Sequence, residues 1–426
     1  MNHKKIIKIL VLLILVIFGV SYLYRQGIVS LPYPKPEPRP KINLSDVKNI
    51  TDANNQFAFD YYNKLISKEE GNIFFSPFSI SSAFVMTYEG AKDQTANEIR
   101  SVFYFPDNME YIRNEYSSFF NEINKKGKKY ELRSANALWA QQDYKFSKDY
   151  FNNIEKYYSG KAENLDFKKN PRGSASTINK WVENQTNDKI KDLISPDSIN
   201  GSTKLILTNA VYFKGEWVKQ FNKDDTKDED FRTGKNINVK VKMMSLTDED
   251  AEFNYGENSS LQILEMPYAG DELSMLILLP KEDDLAKFET TLGTKDLSDW
   301  KEGLEIQRVK VYIPKFKFDT MYSMSDDLKE MGMPIAFSDS ADFSGMTASG
   351  RKELKIDQAV HKAFIEVYEE GTEAAAATGI MMVATSFQPK KPEIPVFKAD
   401  HPFVFIIQHN STGNILFMGR VVDPNL

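Results

Sequence analysis

Apolar residues change their spacing along this chain. Phe57, Tyr61, Tyr62 and Leu65 recur at steps of three and four, which predicts an amphipathic helix over 52–65. Ser76-Pro77 opens a second helix, with serine as cap and proline in the first turn. Its body, 78–88, is apolar on nearly all sides and is predicted to be buried. Residues 109–123 and 174–190 carry the pattern of amphipathic helices. Later runs read as strands: 205–213, 261–267, 273–279, 309–318 and 403–408. Many of these are apolar on both faces, as central strands covered on both sides would be. Helices come mainly first and strands mainly later, which predicts an α+β fold. No second linker and no internal repeat interrupts 42–426.

The first forty residues follow other rules. Lys4, Lys5 and Lys8 precede an apolar run over 9–20 that extends to Tyr24. The run reaches membrane-spanning length if its flanks sit at the interface and Lys8 snorkels. With no clean small-x-small cleavage site, a signal anchor is favoured over a cleaved signal peptide for 1–30. Either would place the remainder outside the cytoplasm, anchored or secreted. Pro32, Pro34, Pro36, Pro38 and Pro40 then alternate through the 31–44 linker. This is a semi-rigid polyproline spacer, with a proline-motif ligand as the sharper alternative. A single globular domain is expected over 45–426.

Composition removes several functions. The 426 residues are 41% hydrophobic and can bury a large core. A net charge of −6 argues against a general nucleic-acid binder. Cysteine is absent, so disulfides, thiolate metal sites and a cysteine nucleophile are excluded. The four histidines, His3, His361, His401 and His409, include no pair at helix-face metal spacing. Neither a metal nor a cofactor is expected. The chain has no G-x-S-x-G elbow and no glycine-rich phosphate loop. Acidic pairs such as Asp224-Asp225 and Glu369-Glu370 read as solvated surface rather than acid–base dyads, so an enzyme is not expected. The lysine cluster around Gly127 reads as a solvated loop, with polyanion binding as the alternative. Sequons stand at Asn49, Asn184, Asn200, Asn258 and Asn410.

One stretch resists a plain reading. Glu369-Glu370-Gly371-Thr372-Glu373-Ala374-Ala375-Ala376-Ala377-Thr378 leads into an apolar run and then a proline-rich tail ending at Pro395. Alanine favours helix, so a short helix followed by a loop is one reading. A latent strand is the other: Thr372, Ala374, Ala376, Thr378, Ile380, Met382 and Ala384 would share one face, all small or apolar, with Glu373 opposite.

This segment and its surroundings resemble the serpin superfamily of protease inhibitors, from about Ser45 to the C-terminus. The resemblance is carried by Asn72-Ile73-Phe74-Phe75-Ser76-Pro77-Phe78-Ser79, by Asn209-Ala210-Val211-Tyr212-Phe213-Lys214-Gly215-Glu216-Trp217 and by Val311-Tyr312-Ile313-Pro314-Lys315-Phe316. Ala341-Asp342-Phe343-Ser344-Gly345-Met346, Val360-His361-Lys362-Ala363-Phe364-Ile365-Glu366-Val367 and the ending from Ala399 to Val422 add to it. It implies one domain with three β-sheets, eight or nine helices and an exposed reactive loop. It also implies a suicide mechanism: a protease cuts the loop, forms an acyl-enzyme, and is distorted when the loop inserts as a new central strand.

Carried onto this chain, the hinge is Gly371 with Thr372, Glu373, Ala374, Ala375, Ala376, Ala377 and Thr378. The resemblance places the reactive bond at Thr385-Ser386, and a register shift of two would offer Phe387 instead. A small β-branched Thr385 suits an elastase-like or subtilisin-like serine protease as target. Ser76, Ser79, Asn209 and His361 match a polar cluster beneath the point where strands part. Trp217, Lys315 and Glu369 match the point of loop entry, where Lys315 and Glu369 are either an ion pair or plain surface charges. A monomer is expected, with its membrane contact confined to the N-terminal segment. The lysine, isoleucine and asparagine richness suits a prokaryote. The competing reading is a non-inhibitory serpin-fold binding or chaperone module on the cell surface.

Overall fold

The computed structural model describes residues 44–125, 127–234, 237–282, 284–372 and 394–426. The 1–30 segment, most of the linker, Glu373 to Thr378, and Thr385 and Ser386 lie outside the described residues. Among the described residues are nine α-helices and three β-sheets, an α+β architecture.

The predicted first helix spans Ile50–Ile66 and is capped by the Asn49 side chain, which accepts from the Asp52 N–H. The second spans Pro77–Gly90, and all but Tyr88 and Glu89 of its residues are buried. Ser76 Oγ caps it by accepting from the Ser79 N–H at 3.1 Å. The helix over Met109–Ile123 has the predicted bounds, whereas the one predicted over 174–190 starts earlier and runs Pro171–Gln185. Asn187 and Asp188 adopt positive φ just beyond it, which turns the chain out of helical geometry.

The six-stranded sheet holds Asn209, His361 and Thr372. Its strands are β1 (Tyr130–Gln141), β2 (Lys161–Leu165), β3 (Leu205–Glu216), β4 (Phe316–Ser323), β5 (Ile356–Tyr368) and β6 (Gly371–Thr372). Their spatial order is β4-β5-β6-β3-β1-β2. Among the described residues β6 contributes Gly371 and Thr372, and below them β5 and β3 pair directly and in parallel, from Ile356↔Leu205 to Phe364↔Tyr212. The sheet is therefore a fork, closed along most of its length and split at one end by a two-residue wedge.

A seven-stranded sheet includes Leu261–Pro267, Leu273–Pro280, Phe403–His409 and Asn414–Val421; the last three are buried throughout, and Leu261–Pro267 buries Leu261, Ile263, Leu264 and Met266. A four-stranded sheet joins Val396–Lys398, Lys310–Pro314, Ile237–Leu246 and Lys227–Gly234. The single strand predicted over 309–318 is thus two strands in two sheets. Pro314 closes the first, and the Lys315 N–H turns to bond Lys242 O at 2.8 Å before the chain enters β4.

One large core fills the space around the Pro77–Gly90 helix between the sheets. A smaller one lies on the other face of the six-stranded sheet, under the Pro171–Gln185 helix and the segment after it. That segment crosses to β5, where the Gln358 side chain donates to Ser198 O at 2.6 Å and Lys362 Nζ donates to Lys191 O at 3.2 Å.

Candidate functional site: a fork in the main sheet

The fork starts from glycine. Gly371 has φ +152°, a backbone conformation that L side chains rarely adopt. A Cβ there would sit 2.1 Å from Gly215 O and 2.6 Å from the Glu216 Cα. Only a residue without a side chain lets the chain approach β3 this closely. Thr372 comes next and is completely buried, paired with Val367 on one side and Gly215 on the other. Its Oγ1 lies 2.9 Å from the Tyr268 hydroxyl. The hinge predicted to begin in an exposed loop thus begins inside the sheet. Gly371 and Thr372 are strand residues, and the remaining hinge residues lie outside the described residues.

Trp217, Lys315 and Glu369 meet at the mouth of the fork. The Trp217 indole donates to Tyr368 O at 3.2 Å, and its backbone N–H donates to Glu370 O at 2.8 Å. Its ring stacks on Tyr268 at 4.5 Å, the residue that holds Thr372. Lys315 Nζ lies 2.8 Å from Glu369 Oε2, while the Thr226 hydroxyl donates to Glu369 Oε1 at 2.8 Å. Burial pushes the Glu369 carboxyl up, but these donors outweigh it and hold it below the ordinary glutamate range. The neighbouring Glu370 pairs with Lys223. Pairing makes burial of two adjacent carboxylates tolerable at this junction.

Ser76, Ser79, Asn209 and His361 come together at the middle of the closed part. His361 on β5 stands opposite Asn209 on β3, which stands opposite Asn136 on β1. Tyr322 on β4 completes the row beside His361. A single polar rung therefore crosses four strands. His361 Nε2 accepts from the Ser76 N–H at 3.2 Å, and His361 Nδ1 contacts Asn209 Oδ1. This pattern fixes the neutral tautomer with its proton on Nδ1. The Asn209 amide donates to Ser79 O at 3.0 Å, to Ser79 Oγ at 2.6 Å and to Asn136 Oδ1. Ser76 Oγ donates to Leu416 O at 2.6 Å, tying the helix to the seven-stranded sheet. Complete burial depresses the His361 pKa to about 3, so the ring is neutral at physiological pH.

Sequence reasoning missed Asn136, Ser134, Tyr268 and Thr226. Asn136 and Ser134 sit in a strand whose small and polar residues gave no clear period, and only the register with Asn209 and Val211 brings them in. Ser134 Oγ lies 2.9 Å from Ser79 Oγ. Tyr268 and Thr226 lie just outside regular elements, where periodicity carries no signal.

Among the described residues no group of three or more histidines, aspartates or glutamates is placed to hold a metal, and no helix is long and apolar enough to cross a membrane. The chemistry available at the fork is mechanical. Backbone donors and acceptors of β3 and β5 now satisfy each other, and an entering strand could exchange with them.

The family model described as serpin (serine protease inhibitor) matches residues 52–424. The chain belongs to this family, and its fold is the mixed α+β serpin fold. An uncharacterized serpin-like protein of Methanosarcina acetivorans is 45% identical over 392 residues, 90% of each chain. Leukocyte elastase inhibitor A of Mus musculus is 41% identical over 389 residues, 89% of this chain and all of that one. Among solved structures, Serpin48 of the insect Tenebrio molitor, described as a highly specific serpin, superposes with a TM-score of 0.79 at 31% identity. That match covers 88% of this chain and 98% of Serpin48.

Proposed function

We propose that this protein is a suicide inhibitor of serine proteases with elastase-like or subtilisin-like pockets. The target's serine oxygen attacks the Thr385 carbonyl carbon. The Thr385–Ser386 bond breaks, the Ser386 amine leaves with a proton, and Thr385 is held as an ester. The freed loop then follows Thr372 into the fork and carries the protease with it, before water reaches the ester. The observation that supports this reading most is Thr372, buried between two strands that pair directly just below it. The start of an added strand is seated, and its further path is a seam of exchangeable hydrogen bonds. The polar rung supports it too, since its groups can re-pair with one another when strands part, whereas unmatched polar groups would cost ~1–3 kcal/mol each.

The inhibitor acts as a monomer, without cofactor, and outside the cell. The 1–30 segment tethers or exports it and the proline spacer holds it off the membrane.

The test mixes the full-length protein with pancreatic elastase and with subtilisin. The expected result is a one-to-one complex that survives SDS, with release of a peptide beginning at Ser386. Loop cleavage with full recovery of both proteases would remove the inhibitory reading and leave a non-inhibitory binding module.

A further inference from the structure

Immediately below the wedge, the first direct pair between β5 and β3 is Phe364 opposite Tyr212. Of the eight direct pairs between these strands, it alone joins two aromatic rings. The ring centroids lie 6.4 Å apart at an interplanar angle of 39°. Lys189, on the segment leaving the Pro171–Gln185 helix, places Nζ 6.0 Å from the Tyr212 centroid and 5.9 Å from that of Phe364. Lys317, on β4, places Nζ 5.6 Å from the Phe364 centroid. The rings thus bridge the seam at the crotch of the fork, with the Lys189 ammonium over both and the Lys317 ammonium over Phe364.

We propose that Tyr212 and Phe364, capped by Lys189 and Lys317, are positioning residues that hold the seam shut at the fork and set the rate at which a strand enters it. This rests on the strand-insertion reading of the protein's function. Neighbouring strands lie ~4.8 Å apart, so an added strand takes β3 and β5 to ~9.6 Å. The rings then leave the 4.5–7 Å range in which aromatic pairs attract. Lys189 loses one of its two rings. This contact breaks at the first step, before any pair below Phe364 and Tyr212 is disturbed. The backbone bonds lost along the seam are replaced by bonds to the entering strand, but the ring contact has no such replacement. It therefore adds to the barrier without being returned in the product.

The experiment uses the intact full-length protein and a fluorescent synthetic peptide of the sequence 372–385, with uptake followed by native gel and anisotropy. Phe364→Ala and Tyr212→Ala should each speed uptake about fivefold, the size of one aromatic contact. The double variant should be little faster than either single, because the two rings make one contact. Lys317→Met and Lys189→Met keep the apolar stem and should speed uptake about threefold. Lys317 is largely exposed, so its variant folds even where a ring deletion does not. Phe364→Tyr retains a ring and should restore the parental rate. Val182→Ala weakens the same small core away from the seam and should leave uptake unchanged. Uptake by Lys317→Met and the ring variants at the parental rate, with the parent still trapping protease, overturns the proposal alone. A parent that neither takes up peptide nor traps protease overturns the insertion reading, and the proposal with it.

Discussion

His361 and Asn209 face each other across the closed seam, one on each strand that an entering segment would have to separate. The imidazole is neutral, completely buried, and takes its second hydrogen bond from the Ser76 backbone. A proton added to this ring has no acceptor at Nε2, where a backbone N–H already points.

The seam is therefore expected to be sensitive to acid. Burial lowers the folded pKa to about 3 from an ordinary 6.5, so the unfolded chain binds the proton first. The contribution of His361 to stability is complete above about pH 6.5 and is lost as pH falls towards 3. The slope should be at most ~1.4 kcal/mol per pH unit. Guanidinium unfolding of the parent and of His361→Gln at pH 7, 6 and 5 measures it. The difference between them should shrink with acid, and a constant difference would contradict the assignment. Burial also lowers the pKa of His409, but that residue is common to both proteins and cancels.

Gly371→Ala should expel the wedge. The added Cβ meets Gly215 O at 2.1 Å, and φ is unfavourable for any L residue. The expected cost is about 2 kcal/mol or more, and Tyr268 loses its contact with Thr372. Hydrogen exchange at Val367 and Gly215 should rise while the seven-stranded sheet stays protected. Unchanged protection at both positions would show that the slot tolerates a side chain.

On the insertion reading proposed above, Thr372→Arg should turn trapping of the protease into plain cleavage of the loop. Thr372 is completely buried, and a guanidinium placed there would lie unpaired beside Tyr268, whose ring is itself packed by Phe213 and Trp217. Insertion stalls and the ester hydrolyses. A titration against elastase should show nearly all inhibitor cleaved and the protease active. Inhibition equal to the parent would rule out insertion through this slot.

Thr385→Arg should create inhibition of trypsin, whose pocket demands a cation. Mass spectrometry of the released peptide fixes the bond. A peptide starting at Ser386 is expected, and one starting at Gln388 would move the reactive residue to Phe387.

Cleavage near Thr385 should stabilise the protein strongly. An added strand gains roughly ten backbone hydrogen bonds at ~1 kcal/mol each before entropy, comparable with the stability of an ordinary domain. Paired guanidinium unfolding before and after limited proteolysis should separate the two forms widely. Equal midpoints would mean that the cleaved loop stays outside.

Much of the fold was legible where one physical rule acted alone. The buried helix over Pro77–Gly90 announced itself through a serine cap, a proline in the first turn and apolar residues all round. Leu273–Pro280 was visible as an almost wholly apolar run, and Leu261–Pro267 as a short, mainly apolar one. Lys227–Gly234 was not, because charge dominates its sequence, and Ile237–Leu246 was overlooked although Ile237, Val239, Val241 and Met243 alternate with polar residues. Their charges pair across strands, as in Lys242 with Asp228 and Lys240 with Asp230, and that choice of partner is what local periodicity cannot reveal. The break at Lys315 was hidden for a related reason. Both halves of 309–318 have strand character, and only the sheets they join differ. At the fork, His361 and Asn209 could be named from the resemblance. The wedge could not, since it depends on Gly371 meeting Gly215.

A seated wedge also turns position along the loop into time. With the first pairs of the added strand already made, what remains is propagation from an existing end, which needs no search for a start. Each further residue before the cut adds ~3.3 Å of travel. A cut at Phe387 instead of Thr385 would add about 7 Å to the path of the attached protease. Throughout that extra travel the ester stays open to water. On the insertion reading, the distance between Thr372 and the severed bond is a delay line set against deacylation, and a chain one strand repeat longer would release more of any protease that attacks it.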